Sequence, residues 1–199
     1  MRHQKPVKIL QEFLLSAGQK LPKYGADGYF GAETTLAIDL LDVPSYVKRA
    51  LKEVGIYEIS GGKHHPRVLE YHRSSAGKYG NDEVPWCGSF VNWVMRRSGY
   101  ETVGVPERAK SWLEFGLPLE EPLQGSIAVK SRKGGGHVAI VVGESPDGKL
   151  WCVGGNQNDE VNLSLYSREV FEGFRVPGDY EMGYALVQFD GTAGEVKEA

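Results

Sequence analysis

A chain of 199 residues, 41% apolar and 25% charged, is long enough to bury one sizeable core, and this composition excludes a disordered or fibrous protein. A net charge of -3 with no dense run of Lys and Arg argues against nucleic acid or an anionic membrane as partner, and no stretch approaches the ~18 apolar residues of a membrane span. Two cysteines in unlike contexts, Cys87 and Cys152, are read as reduced thiols and not as a disulfide framework.

The first six residues are basic, but no apolar run of signal-peptide length follows them, so synthesis in the cytoplasm is expected. Val7, Leu10, Phe13 and Leu14 share one helical face that Gly18 ends. A glycine-punctuated turn at 25–31 leads to a second helix over 32–41. The residues Leu10, Gln11, Asp27, Gly28, Phe30, Gly31 and Thr34 resemble the signature of the small three-helix peptidoglycan-binding domain. That resemblance implies wall binding, with Asp27 and Phe30 as candidate contacts. The boundary is placed at residue 43, because Pro44 cannot continue a helix and Ser45 can cap the next one.

Helices are predicted over 46–55 and 66–71, with His64, His65 and His72 near the second. Adjacent histidines cannot both face one point in regular structure and no ligand-spaced carboxylates accompany them, so a solvated surface is expected and no metal. The stretch Pro85-Trp86-Cys87-Gly88-Ser89-Phe90-Val91-Asn92-Trp93 has an apolar set at 87, 90, 91 and 94, which puts Cys87 in the first turn of a buried helix. Unpaired N–H groups and the helix dipole there favour thiolate over thiol. A short helix follows over 106–115. Trp86 and Trp112 are candidate groove residues, since indole packs well on sugars and flat peptides.

From residue 123 the period changes to that of strands, over 125–129, 137–142, 150–153, 161–166 and 184–189. Helices first and strands afterwards is the α+β pattern with an antiparallel sheet. A turn at 146–149 sets the strand of His137 beside the strand that ends at Asn156 and Gln157. Cys87, His137 and Asn156 therefore form a candidate catalytic set of nucleophile, base and orienting amide, with Cys87 N–H as an oxyanion donor and Gln157 as a substrate contact.

The segments around Cys87, Gly136-His137-Val138-Ala139 and Gly154-Gly155-Asn156-Gln157 resemble the CHAP group of the NlpC/P60 cysteine peptidase superfamily. The resemblance implies a papain-like catalytic domain with its nucleophile helix packed on the sheet, and hydrolysis of peptidoglycan amide bonds. Some CHAP enzymes carry a glutamate two residues before the asparagine. Gly154 stands there, which leaves Asn156 alone to orient His137. Some bind calcium before the cysteine; Asn81, Asp82 and Glu83 lack the acidic repeat for it. The expected organisation is a helical wall-binding-like domain at 1–43, a catalytic domain at 44–190 and a flexible tail at 191–199. A monomer without cofactor or metal is expected, acting on the wall after release as a phage endolysin. A secreted antibacterial effector and a non-catalytic phage structural protein are the alternatives.

Overall fold

The computed structural model describes residues 2–59, 61, 63–75, 79–132 and 134–192. Lys133 and most of the expected tail lie outside them. The fold is α+β: helices α1 (Gln4–Ser16), α2 (Ala32–Asp39), α3 (Ser45–Leu51), α4 (Pro66–Ser74) and α5 (Cys87–Arg97) precede the sheet. The strands are β1 (Leu117–Leu119), β2 (Ile127–Arg132), β3 (Gly135–Glu144), β4 (Leu150–Gln157), β5 (Glu160–Tyr166), β6 (Gly173–Val176) and β7 (Val187–Gln188). Their order is β1-β6-β2-β3-β4-β5, antiparallel throughout, with β7 added parallel to the end of β3.

Alternation along β2 to β5 gives the sheet two buried faces. Ile127, Val129, Val138, Ile140, Trp151, Val153 and Leu163 pack under the helices, with Phe90, Val91 and Val94 of α5 among them. Ala128, Ala139, Val141, Cys152, Tyr166 and Phe174 form a second cluster on the opposite face. Gly155 lets α5 lie directly on the sheet: a Cβ there would fall 2.5 Å from the Trp86 ring and 2.7 Å from Phe90 Cβ.

Residues 2–43 share one core with the helices and strands after them. Leu10, Phe13, Leu14 and Ile38 belong to the same cluster as Val153 and Phe189, and the Phe13 and Phe189 rings meet edge to face at 5.7 Å. His3 stacks on Tyr57 and pairs with Glu160 of β5 at 2.6 Å. Inside the 25–31 turn, buried Gln11 donates to Asp27 Oδ1, Tyr29 O and Thr34 Oγ1 and accepts from Gly28 N. The motif residues thus tie the turn to α1.

One helical expectation changes form, and two strands are added. The 106–115 segment contains only a 3-10 helix, Ala109–Glu114, and strands β1 and β6 were not foreseen. Among the described residues no helix is long and apolar enough to cross a membrane.

Candidate active site

Cys87 is the first residue of α5, where Trp86 supplies the cap position and the first helical bond runs from Phe90 N to Trp86 O. The N–H groups of Cys87, Gly88 and Ser89 precede that bond, so the thiol sits at the positive end of the helix. Burial pushes the Cys87 thiol up. The hydrogen bond and charge of His137, the Val138 backbone N–H and the Arg132 charge outweigh it and hold the pKa below that of an ordinary thiol. Cys152 is the opposite case: it is free and enclosed, and burial alone drives its pKa upward.

His137 is 1% exposed. Its Nε2 lies 3.1 Å from Gln157 Oε1, which leaves Nδ1 as the nitrogen for the thiol. The Gln157 amide has only one satisfied orientation. Its Nε2 donates to Asn162 O at 3.0 Å and to Asn162 Oδ1 at 2.8 Å, while its Oε1 accepts from Tyr166 OH at 2.9 Å as well as from the imidazole. Asn162 Nδ2 returns a bond to Gln157 O, and Ser164 Oγ donates to Asn162 Oδ1. A fixed acceptor at Nε2 keeps the proton there and makes Nδ1 the nitrogen that can take one from sulfur.

The Asn156 amide lies against Glu58 and Trp86. With both amide atoms satisfied, its nitrogen donates to Glu58 Oε1 at 3.2 Å and its oxygen accepts from Trp86 N at 3.3 Å. The cause is a β-bulge. Gly154 pairs with Asn162 and Gln157 with Glu160, so β4 carries one extra residue between them, and Asn156 takes φ 57°. Val141 pairs with Cys152, and regular alternation would put residue 156 on the His137 face. The extra residue turns Asn156 toward α5 and delivers Gln157 instead. Gly154 makes the room: a Cβ there would stand 2.6 Å from Gln157 Oε1. The amide occupies the space into which a longer residue at 154 would project.

Other expected contacts are also relocated. Trp86 and Trp112 are fully buried and line no groove. Trp86 Nε1 donates to Glu58 Oε1 at 2.6 Å with the ring against Tyr71, and Trp112 Nε1 donates to Pro106 O at 2.9 Å, supporting the 106–115 segment from behind. Gln157 is enclosed, with its Oε1 against the His137 imidazole. Asp27 is exposed, but its carboxylate accepts from Gln11 and from Tyr29 N, and half-buried Phe30 lies under the Arg2 guanidinium at 4.0 Å. His72 is buried beside Ser89 and not solvated, because α4 turns its face onto α5. Asp82 is spent on Ile59 N, His65 N and His64 Nδ1. Among the described residues no group of three His, Cys, Asp or Glu side chains could hold a metal ion.

Sequence reasoning missed the part of Gln157, and with it Asn162, Ser164, Tyr166 and Glu58. The signal for Gln157 was Gly154-Gly155-Asn156, a run that accommodates positive φ and invites a bulge. A cleft of about 550 Å³ opens beside Cys87, lined by Pro85, Glu107, Arg108, Lys110, Arg132 and Gly136 among others. An activated thiol, a base on an oriented imidazole and unpaired helix N–H groups at such a cleft can carry acyl transfer.

This arrangement coincides with a family match. Residues 78–156 match the CHAP domain, which supports a hydrolase of CHAP type, a class of typically cysteine- and histidine-dependent amidohydrolases. The matched stretch holds Cys87, His137 and Asn156 but ends one residue before Gln157. No curated protein and no solved structure matches the chain.

Proposed function

We propose that this chain is a peptidoglycan hydrolase that cleaves an amide bond of the wall peptide through a Cys87 thioester. The observation that carries the reading is the Cys87 thiol held below an ordinary thiol's pKa by His137, whose far nitrogen lies 3.1 Å from Gln157 Oε1. His137 takes the thiol proton and Cys87 sulfur attacks the amide carbonyl. Cys87 N–H and its neighbours in the first turn stabilise the oxyanion. The imidazolium then protonates the departing amine, and water activated by His137 releases the acid and restores the thiol. Gln157 is the orienting residue in this scheme, in place of Asn156. The CHAP match supports peptidoglycan as the substrate.

Residues 1–43 are assigned a wall-facing part in the same proposal. Their motif resemblance supports it, and so does the exposure of Tyr24, Tyr29, Leu36 and Leu40, apolar groups that can pack on sugar rings. A wall-binding surface beside a wall hydrolase raises local concentration on an insoluble substrate, which fits a phage endolysin.

Mass spectrometry of soluble products from purified peptidoglycan, treated with the protein or its Cys87→Ala form, tests the reading. Free stem peptides beginning at L-alanine define an amidase, and cut stems or cross-links still on sugar define an endopeptidase. Equal product from both proteins, or none from either, overturns it.

A further inference from the structure

The cleft beside Cys87 carries both signs of charge: Glu107 and Glu114, with Arg108, Lys110 and Arg132. Lys110 is paired outside the cleft, with Glu172 at 3.5 Å. Glu107 has no ion-pair partner among the described residues. One of its carboxylate oxygens is enclosed without a hydrogen-bond partner. Such an oxygen has lost its water and gained no donor, and Glu107 is half-buried, so a cation held at the open side of the carboxylate offsets part of that cost.

The position of Glu107 is built rather than incidental. The 106–107 backbone lies against the first turn of α5, so close that a Cβ on Gly88 would come 2.4 Å from Pro106 O and 2.7 Å from Glu107 O. Trp112 Nε1 holds Pro106 O from the other side at 2.9 Å. A half-buried carboxylate is thus fixed on the residue that packs against the helix of the Cys87 thiol.

We propose that Glu107 anchors an ammonium subsite, and that the cleft takes a zwitterionic peptide whose free primary amine pairs with Glu107. Carboxylates of the same peptide meet Arg108 and Arg132 on the cleft wall. A charge-assisted bond to a half-buried carboxylate is directional, so the subsite selects peptides that retain an unacylated amine next to the bond presented to Cys87. The identity of the peptide as a wall peptide rests on the hydrolase reading above; the ammonium subsite itself does not require turnover.

The test therefore reads binding and turnover separately. Soluble muropeptides, either untreated or N-acetylated with acetic anhydride, are titrated calorimetrically into Cys87→Ala protein with and without Glu107→Gln. Acetylation is expected to weaken binding about ten-fold or more, the scale of one charge-assisted bond. Glu107→Gln is expected to weaken the free-amine ligand to the same level and to leave the acetylated one unchanged. Because no protein partner is lost, Glu107→Gln keeps or raises the melting temperature, which a purely structural role would not allow. No muropeptide binding, indifference to acetylation, or an equal loss for both ligands in Glu107→Gln overturns the subsite. Amine-dependent binding without product from the unmodified protein sustains the subsite and overturns the hydrolase reading. Turnover that ignores acetylation does the reverse.

Discussion

His137 Nε2 faces Gln157 Oε1 at 3.1 Å, across strands where a regular register would have set Asn156 in its place. The two neighbouring amides should then behave differently on mutation. Gln157→Ala removes the acceptor that holds the imidazole and is expected to lower kcat/KM for wall solubilisation by roughly 10²-fold, within the range that a positioned base contributes. Asn156→Gly keeps the positive φ of the bulge and is expected to cost several-fold at most. Turbidity loss of purified walls, with circular dichroism to confirm the fold, measures both; a larger loss for Asn156→Gly reverses the assignment.

The depressed thiol makes a prediction in pH. The Cys87 thiol is held below the ordinary value of about 8.5, so its alkylation by iodoacetamide should reach half-maximal rate at lower pH than a model thiol. His137→Ala removes the bond and charge that offset burial, and the midpoint should then rise above that of the model thiol. Arg132→Ala should raise it less. Peptide mass spectrometry should find Cys152 unmodified in the folded protein, because burial pushes that thiol up and closes it off. A midpoint in His137→Ala equal to that of the parent would remove His137 from the activation.

Much of this site was legible in the sequence because local rules governed it. The apolar spacing after Pro85 placed Cys87 at a helix start, and the 146–149 turn fixed the β3 and β4 pairing. What escaped was non-local or depended on one inserted residue. A single bulge moves every later side chain of β4 to the other face, so the period-2 reading of residues 156 and 157 came out reversed. The tryptophans were misplaced for a different reason: their partners, Glu58 for Trp86 and Pro106 O for Trp112, lie on loops with no periodic signal. Likewise, β1 is a three-residue edge strand and β6 a four-residue strand between it and β2, and neither shows an alternation long enough to read.

The boundary at residue 43 can be tested by deletion. Val7, Leu10, Phe13 and Leu14 are fully buried, and α1 packs in the same core as Val153, Leu163 and Phe189. Removing residues 1–43 should uncover that core and yield protein that binds a hydrophobic dye and lacks a cooperative melt. The full chain should unfold in one transition by calorimetry. A truncated chain with an unchanged melt would make the first 43 residues an independent appendage.

Glu58 gives the protein a pH dependence of defined sign. Burial raises its carboxyl to about 7, against the bond from Trp86 Nε1 and with help from the negative charges of Asp159, Asp82 and Glu83. Its folded pKa lies above the unfolded value near 4.5, so the folded state holds the extra proton between these pH values. Stability from this group is present below about 4.5 and is lost as pH rises through about 7. Asp82, held low by His65 N, His64 and Ile59 N despite burial, acts in the opposite sense and at lower pH. Melting temperatures of the parent and Glu58→Gln should therefore diverge with increasing pH over 4.5–7, the variant declining less. Parallel curves would show that Glu58 titrates normally.

Gly154 and Gly155 are adjacent, but alanine at each should fail for a different reason. At 155 the new Cβ meets the Trp86 ring at 2.5 Å and Phe90 Cβ at 2.7 Å, and Trp86 is pinned by Glu58 and Tyr71. Neither can retreat without lifting α5, so Gly155→Ala should cost on the order of 1–3 kcal/mol of stability as overpacking. At 154 the nearest atom is Gln157 Oε1 at 2.6 Å, the far end of a side chain that can rotate away. Rotation relieves the clash but takes the acceptor from His137 Nε2, so Gly154→Ala should lose activity about as Gln157→Ala does while its melt shifts less than that of Gly155→Ala. The double variant Gly154→Ala with Gln157→Ala should then be little worse than either alone, since both remove one contact; additive losses would mean that Gly154 serves the site by another route.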